Sequence, residues 1–379
     1  MNFDFSEEQV LLQDNIRRLL ADTYSFEKRK AYIQLEQGFS DAIWQAYAEM
    51  GLLAMPFTEE DGGIGAGAEE TMIAMEAFGR SLTLEPYLAT VVIGAAVLRH
   101  GASREQRKAY VPDISEGKLK LAFAHTEAAA GYRLAHVQTT ASLISGGYVL
   151  AGEKTLVLQG MAADRLIVSA RLSGTPDAPS GIGLFMVDGH AQGVERRDYA
   201  TQDGMRAAEI SLQDVRVDES ALLGGSSDAL PVIRRAVDEA IAALCAEAVG
   251  AMDATLQITV EYLKTRKQFG KAIGEFQALQ HRAAEMVVEL EQARSMAMYA
   301  TMMSRSENVN ERTRAIASAK VQIGRSSRLI GQAAVQLHGG IGMTMEYPIG
   351  HYFKRLTMIE KAFGDSSFHL DQLAALDRI

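Results

Sequence analysis

Arg266-Lys267-Gln268-Phe269-Gly270 and Gln336-Leu337-His338-Gly339-Gly340-Ile341-Gly342 each close a long stretch of helical patterning in the last third of the chain. An arginine guanidinium can grip a pyrophosphate through two parallel charge-assisted hydrogen bonds, and glycines let bare backbone approach a phosphate or an adenine. Together the segments read as a nucleotide-binding platform built on helix ends. Taken singly, Arg266 is also a natural helix C-cap, because cations are favoured at that end.

Working outward from this pair, amphipathic helical patterns occupy Val232 to Thr265, Ala278 to Ser304 and Arg312 to Leu337, after Pro231, which can start a helix but not sit inside one. Between about Lys120 and Gly225 the texture changes to short β-branched and apolar runs: His136 to Leu143, Tyr148 to Ala151, Arg165 to Ala170, Gly183 to Val187 and Ala208 to Val217. Turn residues such as Gly146-Gly147 separate them, so this part reads as a small antiparallel β domain. From Glu7 to about Lys118 helical spacing returns, in Val10, Leu11, Ile16, Leu19 and Leu20, and in Ile73, Met75, Ala77 and Phe78. The expected boundaries are 1–118, 119–225 and 226–379. Helices, then β, then helices argues for a mainly α fold with a central β domain and against a doubly wound parallel sheet.

The 379 residues are 47% hydrophobic and 23% charged, ordinary for a globular protein with a large core. A net charge of −10 without any basic run excludes a nucleic-acid role. The single cysteine, Cys245, rules out an internal disulfide and a cysteine zinc cluster, and no metal site is expected. Asp4, Glu7 and Glu8 stand where a signal peptide would be basic and then apolar, and the apolar run from Ala240 to Met252 is interrupted by Glu247 and too short for a membrane span. No membrane association and a cytoplasmic location are expected.

The helix–β–helix order, Arg-x-x-Phe-Gly after the first bundle helix, Gln-x-x-Gly-Gly-x-Gly after the third, and Thr126-Glu127 early in the β domain together resemble the acyl-CoA dehydrogenase family over nearly the whole chain. Each motif alone is common; their order and spacing make the combination specific. The resemblance implies an N-terminal helical domain, a β-barrel-like middle domain and a C-terminal four-helix bundle. It also implies FAD between the β domain and the bundle, with the adenosine and pyrophosphate half reaching a neighbouring subunit of an oligomer. On that pattern Arg266 and Phe269 make the reach, Gln277 contacts the flavin, and Gln336, Gly339 and Gly340 contact adenine and phosphate. Thr126 supplies a hydroxyl to the flavin ring, and Ser366 one to the flavin phosphate or ribityl chain. The sequence departs from the pattern where Leu156 and Leu158 replace the usual tryptophan and threonine, and where Tyr132 stands in place of a serine near the acyl chain or CoA.

In the family a carboxylate takes the α proton of an acyl-CoA thioester and the β hydrogen leaves as hydride to flavin N5, giving a trans-2-enoyl thioester. An electron-transfer flavoprotein then reoxidises the flavin. The usual glutamate position falls here on Gly364, and Asp365, one residue on, could serve as base if the loop shifts, although taken alone it reads sooner as a loop acid or helix N-cap. The other position used by relatives, on the first bundle helix, falls on Ala240. Glu247 lies seven residues later, and seven steps of 100° stop about 20° short of two turns, so it shares the Ala240 face about 10 Å along. A lone acid among alanines, leucine and valine is either a base whose pKa burial raises or half of a salt bridge to an arginine on a packed helix. Glu239 is expected to join Asp238 on a solvated face.

Leu244-Cys245-Ala246-Glu247 and Phe363-Gly364-Asp365 further resemble the small-subunit type of heteromeric acyl-CoA dehydrogenases, which act on bulky or dicarboxylic acyl groups such as steroid side chains or pimeloyl-CoA. Three readings follow: a catalytic subunit using Glu247, a noncatalytic partner that lends Arg266 to another chain's flavin, and a flavin monooxygenase or oxidase on the same fold. The assembly is then a homo-oligomer or a heterotetramer with a second acyl-CoA dehydrogenase subunit.

Overall fold

A computed structural model describes residues 5–377; Asp4, part of the acidic opening, lies outside them. The chain folds as two compact units, one from Met1–Ala31, Ala68–Thr83 and Ile241–Ile379, the other from Tyr32–Gly67 and Leu84–Ala240.

The first unit is helical. Helix α1 (Glu7–Thr23) opens on a capping box in which the Ser6 hydroxyl accepts from Gln9 N–H and the Gln9 side chain accepts from Ser6 N–H. It is joined by most of α2 (Phe26–Ile33), α4 (Ala68–Ser81), the later part of α7 (Leu230–Thr265), α8 (Gln277–Met303), α9 (Val309–His338), α10 (Pro348–Lys361) and α11 (Ser366–Leu376). Three of these match the helical stretches expected after Pro231 to within a turn, and Pro348 starts α10 as proline at a first helical position should. Small buried residues line α9, among them Ala315, Ala319, Gly324, Ser327, Gly331 and Ala334, which lets neighbours pack close to its backbone. The same device joins α4 to α7: a Cβ on Gly79 would collide with the carbonyl of Glu247, and one on Gly250 with that of Glu76. The two main chains touch there.

Helix α7 has 36 residues, and a window of it with mean hydropathy 1.4 is long and apolar enough to cross a membrane, which the reading of Ala240 to Met252 alone did not anticipate. That window is 83% buried within the protein, as in the core helix of a globular fold.

In the second unit, α3 (Asp41–Glu49), a π-helical segment (Leu88–Gly94) running into α5 (Ala95–Gly101), and α6 (Arg104–Ser115) accompany a seven-stranded sheet. Its strands are β1 (Leu121–Ala124), β2 (Thr140–Ile144), β3 (Gly147–Leu158), β4 (Arg165–Arg171), β5 (Ile182–Asp188), β6 (Val194–Ala200) and β7 (Arg206–Asp218). They run in the order β1-β4-β2-β3-β7-β6, with β5 also paired to β4. The sheet is mixed, whereas a purely antiparallel one was expected. β1 lies parallel to β4, because the chain between them is long enough for a crossover that returns it to the same end. Leu166, Val168, Phe185, Val187, Ile210 and Val215 fill the core on this sheet, each such burial contributing about 1.5–3 kcal/mol.

Glu239 is a second correction. It does not sit on a solvated face: Arg99 on α5 donates to it at 2.5 Å and His100 meets it at 2.7 Å. Burial pushes its carboxyl up, but the His100 hydrogen bond and the Arg99 charge outweigh this and hold it low.

Candidate functional site

The two segments that opened the sequence meet at one end of the helical unit. Tyr262, four residues before Arg266, stacks on His338 with ring centroids 4.4 Å apart, and its hydroxyl donates to the His338 carbonyl at 3.4 Å. After α7 the chain makes a small hairpin, β8 (Lys267–Gln268) with β9 (Lys271–Ala272), whose tip carries Phe269 at φ 54° and Gly270 at φ 82°. Phe269 is 91% exposed, and Arg266 and Gln277 are exposed beside it. Phe269 meets the Phe276 ring edge-on, centroids 6.1 Å apart, and otherwise turns a bulky side chain at positive φ to solvent, as a ligand contact would.

At the end of α9, Gln336, Gly339 and Gly340 are also exposed. Gly339 needs its φ of 63°, yet a Cβ on either glycine would meet nothing within 4 Å. The space over them is open, as close approach of a ligand requires. His338 Nδ1 donates to the Ala334 carbonyl at 2.8 Å, while its buried Nε2 has no partner. Ser366, at the start of α11, likewise has a buried hydroxyl without a partner, lying where a Cβ on Gly324 would collide with it. Orphaned buried polar atoms and an open glycine cradle fit the adenosine and phosphate half of FAD.

The two carboxylates proposed as bases have different surroundings. Asp365 is the N-cap of α11: its carboxylate accepts from Phe368 N–H at 3.0 Å and from Lys361 Nζ at 3.0 Å. The Phe368 amide first, then Lys361, hold its carboxyl below the usual range. Glu247 on α7 is 5% exposed and bound bidentately by Arg355 of α10, Nε at 2.6 Å and Nη2 at 2.8 Å. This is the buried pair with an arginine on a packed helix that the sequence allowed as one reading of Glu247.

Gly364 leaves no room for a carboxylate. Its φ is 110°, and a Cβ there would collide with Phe368 and lie 2.7 Å from His369 Nε2. Buried Lys320 locks the segment by donating to the carbonyls of Ile359, Glu360 and Gly364, each at 2.8 Å. Burial pushes the Lys320 ammonium down to about 8. No sequence signal singled out Lys320, Arg355 or His338, since each is one polar residue within a helix whose partner lies far along the chain. Cys245 is buried and its thiol is pushed up to about 12 by desolvation, so it is inert.

In the β-containing unit, Thr126 is half-buried and its carbonyl accepts from Thr155 N–H at 2.8 Å. Beyond Thr155 the β3–β7 register shifts, and Leu156 takes φ 51° and stands 45% exposed. Leu156 and Leu158 offer no hydroxyl, so of the three residues named from the sequence here only Thr126 carries a side-chain donor. Among the described residues no group of three histidine, cysteine or acidic side chains could hold a metal ion.

Models of the acyl-CoA dehydrogenase N-terminal, middle and C-terminal domains match residues 6–118, 122–217 and 230–376. The chain is 28% identical over 97% of its length to a probable acyl-CoA dehydrogenase, YngJ, of Bacillus subtilis, 97% of which is covered. Among solved structures it is similar to the Tcur3481-Tcur3483 steroid acyl-CoA dehydrogenase, with 30% identity, a TM-score of 0.87 and 98% of both chains covered. It is also similar to the ChsE4-ChsE5 complex of Mycobacterium tuberculosis, with 25% identity, a TM-score of 0.87 and coverage of 99% and 98%.

Proposed function

From its membership of the acyl-CoA dehydrogenase family, to which this chain belongs through all three domains, we propose that it oxidises a bulky or dicarboxylic acyl-CoA with Glu247 as the base. The family makes it an FAD-dependent oxidoreductase acting on CH–CH bonds of acyl-CoA thioesters. FAD, when bound, supplies the two-electron acceptor.

One observation carries the choice of base: Glu247 is a buried carboxylate on α7, whereas position 364 cannot take one and Asp365 has a quarter of its side chain open to solvent. A carboxylate offers about four lone-pair sites, and Arg355 engages one on each oxygen. Glu247 therefore keeps lone pairs with which to accept an α proton while Arg355 fixes its orientation. Arg266, Gln336, Gly339 and Gly340 would hold the pyrophosphate and adenine, Ser366 the phosphate or ribityl chain, Phe269 and Gln277 the adjoining surface, and Thr126 the ring.

The reading is tested by anaerobic titration with acyl-CoA thioesters, followed as bleaching of the flavin absorbance. Glu247→Gln should retain FAD and slow bleaching by about 10²–10⁴-fold, the usual worth of a general base. Bleaching at the wild-type rate would remove Glu247 from this role.

A second reading is favoured by the missing hydroxyls at Leu156 and Leu158 and by the Arg355 grip on Glu247: a partner subunit within a heteromer, as in the ChsE4-ChsE5 complex. In either case an electron-transfer flavoprotein is the proposed acceptor. The lone, buried, unreactive thiol suits the reducing cytoplasm we assign.

A further inference from the structure

We propose that a cavity in the helical unit, walled by α1, α2, α4, α7 and α10, is a binding site for a small carboxylic acid with an apolar body, and that Arg17 makes the contact to its carboxylate. The proposal goes beyond the enzymatic reading and does not depend on it, since none of the residues assigned above to FAD or to proton transfer lines the cavity.

The cavity holds about 500 Å³, within the roughly 300–1,000 Å³ usual for small-molecule sites. Every lining residue belongs to the same compact unit. Buried Leu20 and Leu82, with half-buried Phe26 and Ile258, give it apolar walls, while Arg17, Ala21 and Ser25 are exposed and form its rim. Such a space buries an apolar group of limited size and leaves a polar end at the surface. Three of the fourteen lining residues are arginines, Arg17, Arg29 and Arg80, and none is acidic. The lining therefore favours negative charge.

The three guanidinium groups are not equivalent. Arg80 is committed to Asp253 and to the Gln257 side-chain oxygen on α7, and its carbonyl accepts from the Tyr352 hydroxyl at 2.5 Å. Arg29, 2% exposed, donates from Nε to the Leu82 carbonyl at 2.7 Å and from Nη1 to His351 Nδ1 at 3.3 Å. It is thereby fixed in the wall. Arg17 makes no hydrogen bond or ion pair among the described residues, so its planar fork is open to a carboxylate in the two-bond geometry that arginine favours. An exposed ion pair holds little by itself, because water and salt screen it. The ligand must therefore also bury apolar surface, which the walls provide, and neither an inorganic anion nor a neutral apolar molecule satisfies both demands.

The test is calorimetric titration of the full chain as purified, with octanoate as the probe. Octanoate should saturate one site per chain, octan-1-ol should bind about threefold to tenfold more weakly, and inorganic phosphate at the same concentration should give no measurable binding. Arg17→Gln should weaken octanoate by the same threefold to tenfold, about the worth of one exposed charge pair, and leave octan-1-ol unchanged. Ala21→Trp, which fills the rim, should weaken both. Residues 17 and 21 are exposed on α1, so both variants should keep the wild-type urea midpoint. Octanoate affinity unchanged in Arg17→Gln or in Ala21→Trp overturns the proposal, as does phosphate binding as tightly as octanoate. Octanoate binding that is lost in Glu247→Gln but kept in Arg17→Gln overturns it too, and assigns the acid to the site of the enzymatic reading. Flavin that acyl-CoA thioesters fail to bleach, in a chain whose octanoate binding follows the Arg17 and Ala21 variants, would sink the enzymatic reading and leave this site standing.

Discussion

Gly364 occupies the position where the acyl-CoA dehydrogenase pattern leads one to expect a glutamate. Its φ of 110° and the crowding by Phe368 and His369 mean that restoring the family's glutamate would cost backbone strain and overpacking, together about 2–4 kcal/mol. We expect Gly364→Glu to unfold at lower urea concentration and, in a Glu247→Gln background, to restore no flavin bleaching. Recovery of bleaching would show that the loop can open and that the position is still competent. The vacancy itself was legible in the sequence, because a glycine against a motif needs only the chain to be read. The lock was not, because Lys320 reaches three carbonyls contributed by the end of α10 and the turn beyond it. For Glu247 the sequence could name two fates, and deciding that Arg355 stands opposite required two helices to be packed.

Among elements, α11 depends on its cap. Asp365 accepts from Phe368 N–H, and its folded-state pKa is held below that of an ordinary aspartate. The stability it contributes is therefore fully present above about pH 4, the unfolded value, and is lost as pH falls through the lower folded one. Asp365→Ala should destabilise by about 1 kcal/mol at neutral pH, and Asp365→Asn by less, with its loss no longer dependent on acid. Urea midpoints measured from pH 7 down to pH 3 check both; an identical acid profile in Asp365→Asn and wild type would refute the assignment. The same scale explains which elements could be read from sequence. The long helices α7, α8 and α9 announce themselves by period, whereas β6 is Val194-Glu-Arg-Arg-Asp-Tyr-Ala200, with no fully buried position to mark an alternation. β1 has only four residues, too few for any period to register, and its parallel pairing is set by a partner it meets much later in the chain. The left-handed Leu156 inside β3 is equally invisible, since leucine gives no local hint of positive φ.

For the whole molecule, the exposed platform bears on assembly. Phe269 at 91% and Ile341 at 43% exposure are large apolar side chains on the segments proposed to meet FAD and a neighbouring subunit, and Met343 at 79% and Met345 at 54% follow just beyond the second of them. On the second, heteromeric reading the chain purified alone should carry little FAD, and coexpression with a second acyl-CoA dehydrogenase subunit should raise the flavin-to-protein ratio severalfold, read from absorbance at constant protein concentration. A full complement of flavin in the chain alone would discard the heteromeric reading in favour of a homo-oligomer.

The contact between α4 and α7 at Gly79 and Gly250 limits how this protein can change over generations. Even one added methyl group on either helix has nowhere to go, so neither glycine can drift by small steps, and the main chain that carries Glu247 is pinned at that depth. On the role proposed for Glu247, descendants that come to handle acyl groups of other widths must do so by exchanging side chains around a fixed carboxylate, because the rail on which it is mounted has no slack to inherit.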